Sequence, residues 1–163
     1  MPLYLHLLIH LSLAILTGYV AGRFFKNVYL GLIAGLAAGF FIDLDHVLEY
    51  FLVFGPSFNL QYFLESRQFL LSDKIRLYFH AWEYVPLFLA VAWLFRKRQK
   101  VKIIFITLAI AGTVHLISDV FINNYNFKYY SLVYRYQQDF ASEKLLSPAA
   151  YQFNQEYKQK LGI

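Results

Sequence analysis

Four apolar runs, at about residues 3–22, 28–54, 79–95 and 103–122, set what this chain can become. Each is near the ~20 residues that a helix needs to cross a hydrocarbon core. In lipid every backbone polar group must be satisfied within the protein, so runs of this length are read as helices. Charge is scarce to match: 15% of the 163 residues are charged, against about 25% in an ordinary soluble domain. The expected fold is all-α, a polytopic membrane four-helix bundle of two antiparallel helical hairpins. An interfacial loop over about 55–78 and a peripheral C-terminal tail complete it. The expected division is a four-helix domain over 1–122 and an aromatic, polar interfacial tail over 123–163. The first run lacks a basic leader and carries two histidines, so it reads as a retained helix and not a signal peptide.

Inside these runs sit nine ionisable side chains of metal-ligand type: His6, His10, Asp43, Asp45, His46, His80, Glu83, His115 and Asp119. Such groups are expensive in hydrocarbon and are rare unless they face a polar interior. The basic links serve as rulers for their depth. Arg23 and Lys26 lie between the first and second runs, and Arg96-Lys97-Arg98-Gln99-Lys100-Val101-Lys102 between the third and fourth. Both links belong on the inner side by the positive-inside rule, with both termini and the 55–78 segment outside. Counted from Phe25 or Gln99, all nine groups are 15 to 21 residues away. At ~1.5 Å per residue they share one layer about 22–32 Å from the inner surface.

Facing agrees with depth. His6 and His10 are spaced i, i+4, above a stripe of Ala14, Thr17, Gly18 and Ala21. Gly31, Gly35 and Gly39 form a close-packing stripe that extends to Asp43 and His46. His80 and Glu83 are i, i+3 on the expected third helix, for which Ser72 or Asp73 is the expected N-cap. His115 and Asp119 are i, i+4. Asp45 points away from Asp43 on a regular helix, so either the helix distorts or Asp45 hydrogen-bonds a ligand histidine. Glu49 and Glu65 read as solvated groups at the outer boundary.

Four carboxylates at one depth cannot all stay ionised uncompensated. Two divalent cations would balance Asp43, Asp45, Glu83 and Asp119 and accept neutral imidazoles. Mixed His and carboxylate donors suit zinc first, with manganese or iron as alternatives. The expected principal ligands are His10, Asp43, His46, His80, His115 and Asp119, with His6 beside them. Asp45 or Glu83 is the expected general base, or else orients a ligand. Arg76, at the outer boundary, reads as a snorkelling anchor or as a clamp for a substrate phosphate. The net charge of +5 resides largely at helix ends, which argues against nucleic acid as a partner. Absence of cysteine excludes thiolate ligation.

His6-x-x-x-His10, Ile42-Asp43-Leu44-Asp45-His46, a histidine opening the third run, and His115-Leu116-Ile117-Ser118-Asp119 together resemble the YdjM-type family of bacterial inner-membrane metal-dependent hydrolases. That layout is similar in turn to the helical zinc-dependent phospholipase C and single-strand nuclease group. The likeness spans about residues 6–119 and leaves the tail uncovered. Where the family has His-Arg-x-x-Thr-His-Ser, this chain has Ile75-Arg76-Leu77-Tyr78-Phe79-His80-Ala81. Arg76 and His80 match, whereas Ile75, Phe79 and Ala81 do not. The resemblance implies a multi-pass protein of the bacterial inner membrane with a metal-dependent hydrolytic site.

Joined to the depth argument, this gives an expected phosphoester hydrolase that acts through a metal-activated hydroxide on a lipid or other amphiphilic substrate near the outer leaflet. A membrane di-iron oxidoreductase is the rival enzyme, although its Glu-x-x-His pairs are absent. A metal or proton transporter is the rival without chemistry, although the inner halves of the runs carry almost no polar relay. A bis-histidine haem protein fits poorly beside so many carboxylates.

Overall fold

The first two apolar runs form one long hairpin. In the computed structural model, which describes residues 3–163, α1 spans Leu3–Phe24 and α2 spans Val28–Phe54. The turn between them is made by Lys26 in a left-handed conformation and by Asn27, whose side chain accepts from the Leu30 amide. The two helices pack backbone to backbone. A Cβ on Gly35 would lie 2.5 Å from the Ala14 carbonyl oxygen, so only glycine permits this approach. α2 stops at Gly55, which takes a positive φ of 68°.

Two short helices, α3 (Leu60–Leu64) and α4 (Arg67–Ser72), lead to an irregular segment over 73–83. A second hairpin follows, α5 (Tyr84–Leu94) and α6 (Gln99–Asn123). The tail contributes a 3-10 turn (Phe127–Tyr130), α7 (Leu132–Gln137), α8 (Ser142–Leu145) and α9 (Pro148–Lys160). Among the described residues there is no strand, only an isolated antiparallel bridge between Lys74 and Ala141. The fold is thus all-helical, and α1, α2 and α6 are long and apolar enough to cross a membrane. They pack on one another through buried small residues, among them Ala14, Ala34, Ala38, Ala109 and Ala111, and α5 leans on α6. The two basic links meet at one end, where the Lys102 ammonium lies 5.9 Å from the Phe25 ring centroid.

The third apolar run departs from expectation. Only 11 of its residues are helical, too few to span a bilayer alone. Ser72 and Asp73 do not start it: Ser72 Oγ returns to the Gln68 carbonyl, and Asp73, at φ 49°, ends α4. The reason lies in where the backbone of 77–82 finds partners. The amides of Phe79 and His80 donate to the Asp45 carboxylate, and that of Trp82 donates to the Tyr130 carbonyl. The carbonyls of Leu77 and His80 accept from the Arg135 guanidinium, at 2.6 and 2.7 Å. Irregular backbone among spanning helices is tolerated where protein satisfies it, and here two charged side chains do so.

The tail is folded onto that segment. Ile75, Leu77, Leu116, Tyr129, Tyr130 and Leu146 make one buried cluster, and Arg135, which donates to the Leu77 carbonyl, is fully buried. Two backbone bonds, Ile75 to the Phe140 carbonyl and Ser142 to the Asp73 carbonyl, fix the register.

Candidate metal centre

Opposite the basic links, the start of α1, the middle of α2, the irregular segment and the end of α6 converge. His6 and His10 come from α1, Asp43, Asp45 and His46 from α2, His80 from the segment, and His115 and Asp119 from α6. His10, Asp45, His80, His115 and Asp119 are buried. Three overlapping groups have donor atoms close enough to share an ion: His6, His10 and Asp119; Asp43, His46 and His80; and His80, His115 and Asp119.

Asp119 stands at the centre. Its Oδ1 lies 3.1 Å from His10 Nε2 and 3.7 Å from His6 Nε2. Its Oδ2 lies 3.4 Å from both His80 Nε2 and His115 Nε2. Asp43 Oδ1 is 3.5 Å from the same two nitrogens. One carboxylate therefore faces two histidine pairs, one with each oxygen.

Two close contacts fix which ring nitrogens carry protons. His80 Nδ1 lies 2.9 Å from Asp45 Oδ2 and donates to it, so in neutral His80 the Nε2 lone pair is bare. That lone pair points at Asp43 and Asp119. His10 Nδ1 and His115 Nδ1 are 2.9 Å apart and share one proton. Whichever ring supplies it, when neutral, turns a bare Nε2 toward Asp119. His10 Nε2, His115 Nε2 and Asp119 Oδ2 are all buried without a hydrogen-bond partner among the described residues. Lone pairs facing lone pairs at this depth require positive charge between them.

The spacing fits a metal ion. Charge-assisted hydrogen bonds close to about 2.7–2.9 Å. The four distances from Asp43 and Asp119 to His80 and His115 are 3.4–3.5 Å, near the ligand–ligand edge of about 3.3–3.4 Å for a tetrahedral ion with bonds of about 2.0–2.1 Å. The residues present fit a metal ion, with His80, His115 and Asp119 as one candidate ligand group and Asp43, His46 and His80 as another. His6 and His10, with the other oxygen of Asp119, offer a second position.

α2 stays helical through Asp45, whose carboxylate turns to the His80 ring and the amides of Phe79 and His80. His46 stands 5.3 Å from the His80 ring, centroid to centroid, and lines the polar cavity in front of the site. That cavity, of about 630 Å³, is also lined by His6, His80 and Asp119.

Two sequence-predicted residues lie elsewhere. Glu83, expected on a helical face with His80, accepts from Ser131 Oγ at 2.6 Å and from the amides of Leu132 and Val133, both at 3.1 Å. It anchors the start of α7 because no helix exists at 80–83 to turn it inward. Burial pushes its carboxyl up, but those hydrogen bonds outweigh burial and hold it below its ordinary value. Arg76 does not line the polar cavity, although Ile75 and Leu77 do. It faces α2, where it donates to Glu49. Glu49, expected to be solvated, is buried at 1% exposure, because Arg76 and the flanking helices cover it.

The tail adds residues that sequence reasoning passed over. Arg135 holds the His80 carbonyl, and Asn123 bridges Asp119 Oδ1 and the Tyr130 hydroxyl at 3.5 and 3.1 Å. Burial, then the Asp119 charge, pushes the Tyr130 hydroxyl up, so it remains a neutral phenol. No family model, curated protein or solved structure matches the chain significantly.

Proposed function

We propose that the protein is a membrane-embedded hydrolase dependent on divalent metal, with zinc first, that cleaves a phosphoester carried by a lipid or similar amphiphile. The observation that carries this reading is Asp119, whose two oxygens address two separate histidine pairs. A carboxylate so placed suits two neighbouring ions, the arrangement used to hold both oxygens of an in-line displacement. With Glu83 withdrawn, three carboxylates remain in the layer, Asp43, Asp45 and Asp119. Bound there, the cations would supply Lewis acidity toward a phosphoryl oxygen and lower the pKa of a water.

The chain's own residues supply orientation and access. Asp45 holds the His80 ring in the tautomer that leaves Nε2 bare. Asp43, at 26% side-chain exposure the least enclosed carboxylate of the layer, would stay with His46 and His80 as a metal ligand. Asn123, Tyr125 and Tyr130 line the cavity with neutral donors for a headgroup. The positive links at the far end support an orientation with the site near the outer leaflet, as in a bacterial inner membrane. A relay transporter is less well supported, because Thr107 is the one buried polar side chain between the layer and the basic end among the described residues.

Metal content of detergent-purified protein, wild type beside Asp119→Ala, tests the site. Two ions per chain, lost in the variant, support it, and turnover of phosphoester lipids by the loaded protein then tests the chemistry. No bound ion after reconstitution with zinc, manganese or iron would remove the hydrolase reading.

A further inference from the structure

Because α5 begins only at Tyr84, the bundle is left open on one flank. α5 packs on α6, and α6 packs on α2, but α2 and α5 stand apart. Between them is a cavity of about 320 Å³ whose lining is almost wholly apolar. Its walls include Ala38, Phe41 and Ile42 of α2 and Leu108, Gly112 and Leu116 of α6. At its rim Phe41 and Leu87 are 61% and 52% exposed, so it opens sideways, toward the hydrocarbon around the helices.

The walls of this cavity adjoin residues of the metal centre along the chain. Ile42 and Leu116 are the chain neighbours of Asp43 and His115. Phe79 and Ala81 line it, while His80 between them lines the polar cavity. One short stretch of chain therefore separates an apolar recess from a polar one. A hydrated molecule would lose its water in the apolar recess without replacement. A hydrocarbon chain lying there would bring its polar end toward His80 and the polar cavity that His80 lines.

We propose that the apolar cavity is a binding site for the hydrocarbon chain of the substrate, whose polar head enters the polar cavity. The proposal rests on the hydrolase reading for the word substrate, but the site itself does not require turnover. It restricts the substrate class to amphiphiles with a phosphoester next to a hydrocarbon chain.

The test is photolabelling of the full chain in vesicles of phosphatidylethanolamine and phosphatidylglycerol, with a long-chain alkyl phosphate carrying a mid-chain diazirine. Peptide mapping should find label at Phe41 and Leu108. Leu108→Trp, which fills the recess, should cut the label at Phe41 at least five-fold and leave label at Phe121 and Leu16 unchanged. The latter two are 79% and 58% exposed and lie outside the recess. Ala38→Phe fills it from the opposite wall and serves should the first variant misfold. Equal labelling at all four positions, insensitive to both variants, would overturn the proposal. Cavity labelling with no hydrolysis of any phosphoester removes only the hydrolase reading; hydrolysis without cavity labelling removes only the chain site.

Discussion

Asp45 grips His80 twice, accepting its ring Nδ1–H at 2.9 Å and its backbone amide at 3.1 Å. The same carboxylate oxygen takes the Phe79 amide at 3.0 Å. A residue outside any helix is thereby given a fixed ring plane and a fixed tautomer. Asp45→Asn retains size but presents one acceptor oxygen and an unwanted donor. It should lower zinc affinity by roughly 10–100-fold, the usual effect of removing a ligand's hydrogen-bond partner. Competitive chelator titration reads the change, with helix content by circular dichroism as the control. An unchanged affinity would show that His80 needs no such support.

Asp119 is shared, whereas His6 belongs to one side of the centre. Asp119→Ala should therefore lower metal content by more than one ion per chain, and His6→Ala by at most one. Elemental analysis of the two variants, purified together with wild type, gives the comparison directly. Equal losses would mean that the carboxylate serves a single ion.

Arg135→Ala leaves the Leu77 and His80 carbonyls without their donor in a buried setting. At about 1–3 kcal/mol for each orphaned acceptor, the variant should lose roughly 2–6 kcal/mol. Arg135→Lys, with one ammonium for two carbonyls, should fall between it and wild type. Thermal unfolding in detergent measures the order, and hydrogen exchange over 77–83 should accelerate in the same sequence.

A methyl group at Gly35 would sit 2.5 Å from the Ala14 carbonyl and 2.7 Å from the Gly18 Cα, both backbone atoms that cannot turn aside. Gly35→Ala should separate α1 from α2 at a cost of about 1–3 kcal/mol. Because α1 carries His6 and His10, the same change should weaken the second metal position. A variant as stable as wild type would contradict the close approach.

Glu83 links acidity to the tail. Its folded-state pKa is depressed, so its contribution is complete above the ordinary carboxyl value and is lost as pH falls through the folded one. Acid should loosen α7 below about pH 4.5, and Glu83→Gln should remove most of that dependence. Trp82 provides the reporter, since its ring stacks on Phe127 at 4.1 Å and its indole donates to the Phe127 carbonyl. Its fluorescence in a Trp93→Phe background should shift with pH in wild type and little in the variant.

What was legible in the sequence was whatever depends on periodicity over long helices. The depth count from Phe25 and Gln99 brought His6, His10, Asp43, His46, His115 and Asp119 to one layer, because α1, α2 and α6 are regular enough for counting to work. It failed between 73 and 83, where a run of apolar residues is not a helix. Nothing local marks that break: Phe79 and His80 leave the helical pattern because Asp45, 34 and 35 residues earlier, offers a better acceptor. Glu83 was drawn into the layer by the same assumption. Arg135 was invisible for a related reason. In Tyr134-Arg135-Tyr136 it has the look of an interfacial residue, and only the fold shows that it closes over two carbonyls 58 and 55 residues back.

That separation gives the protein an order of assembly. Asp45 leaves the ribosome before the segment it holds, but Arg135 leaves it after α6, when every histidine and aspartate of the centre has already been made. Until then the His80 carbonyl lacks its partner and the ring is secured from one side only. The direction of synthesis thus makes the His/Asp layer first and the guanidinium that closes over its irregular segment last.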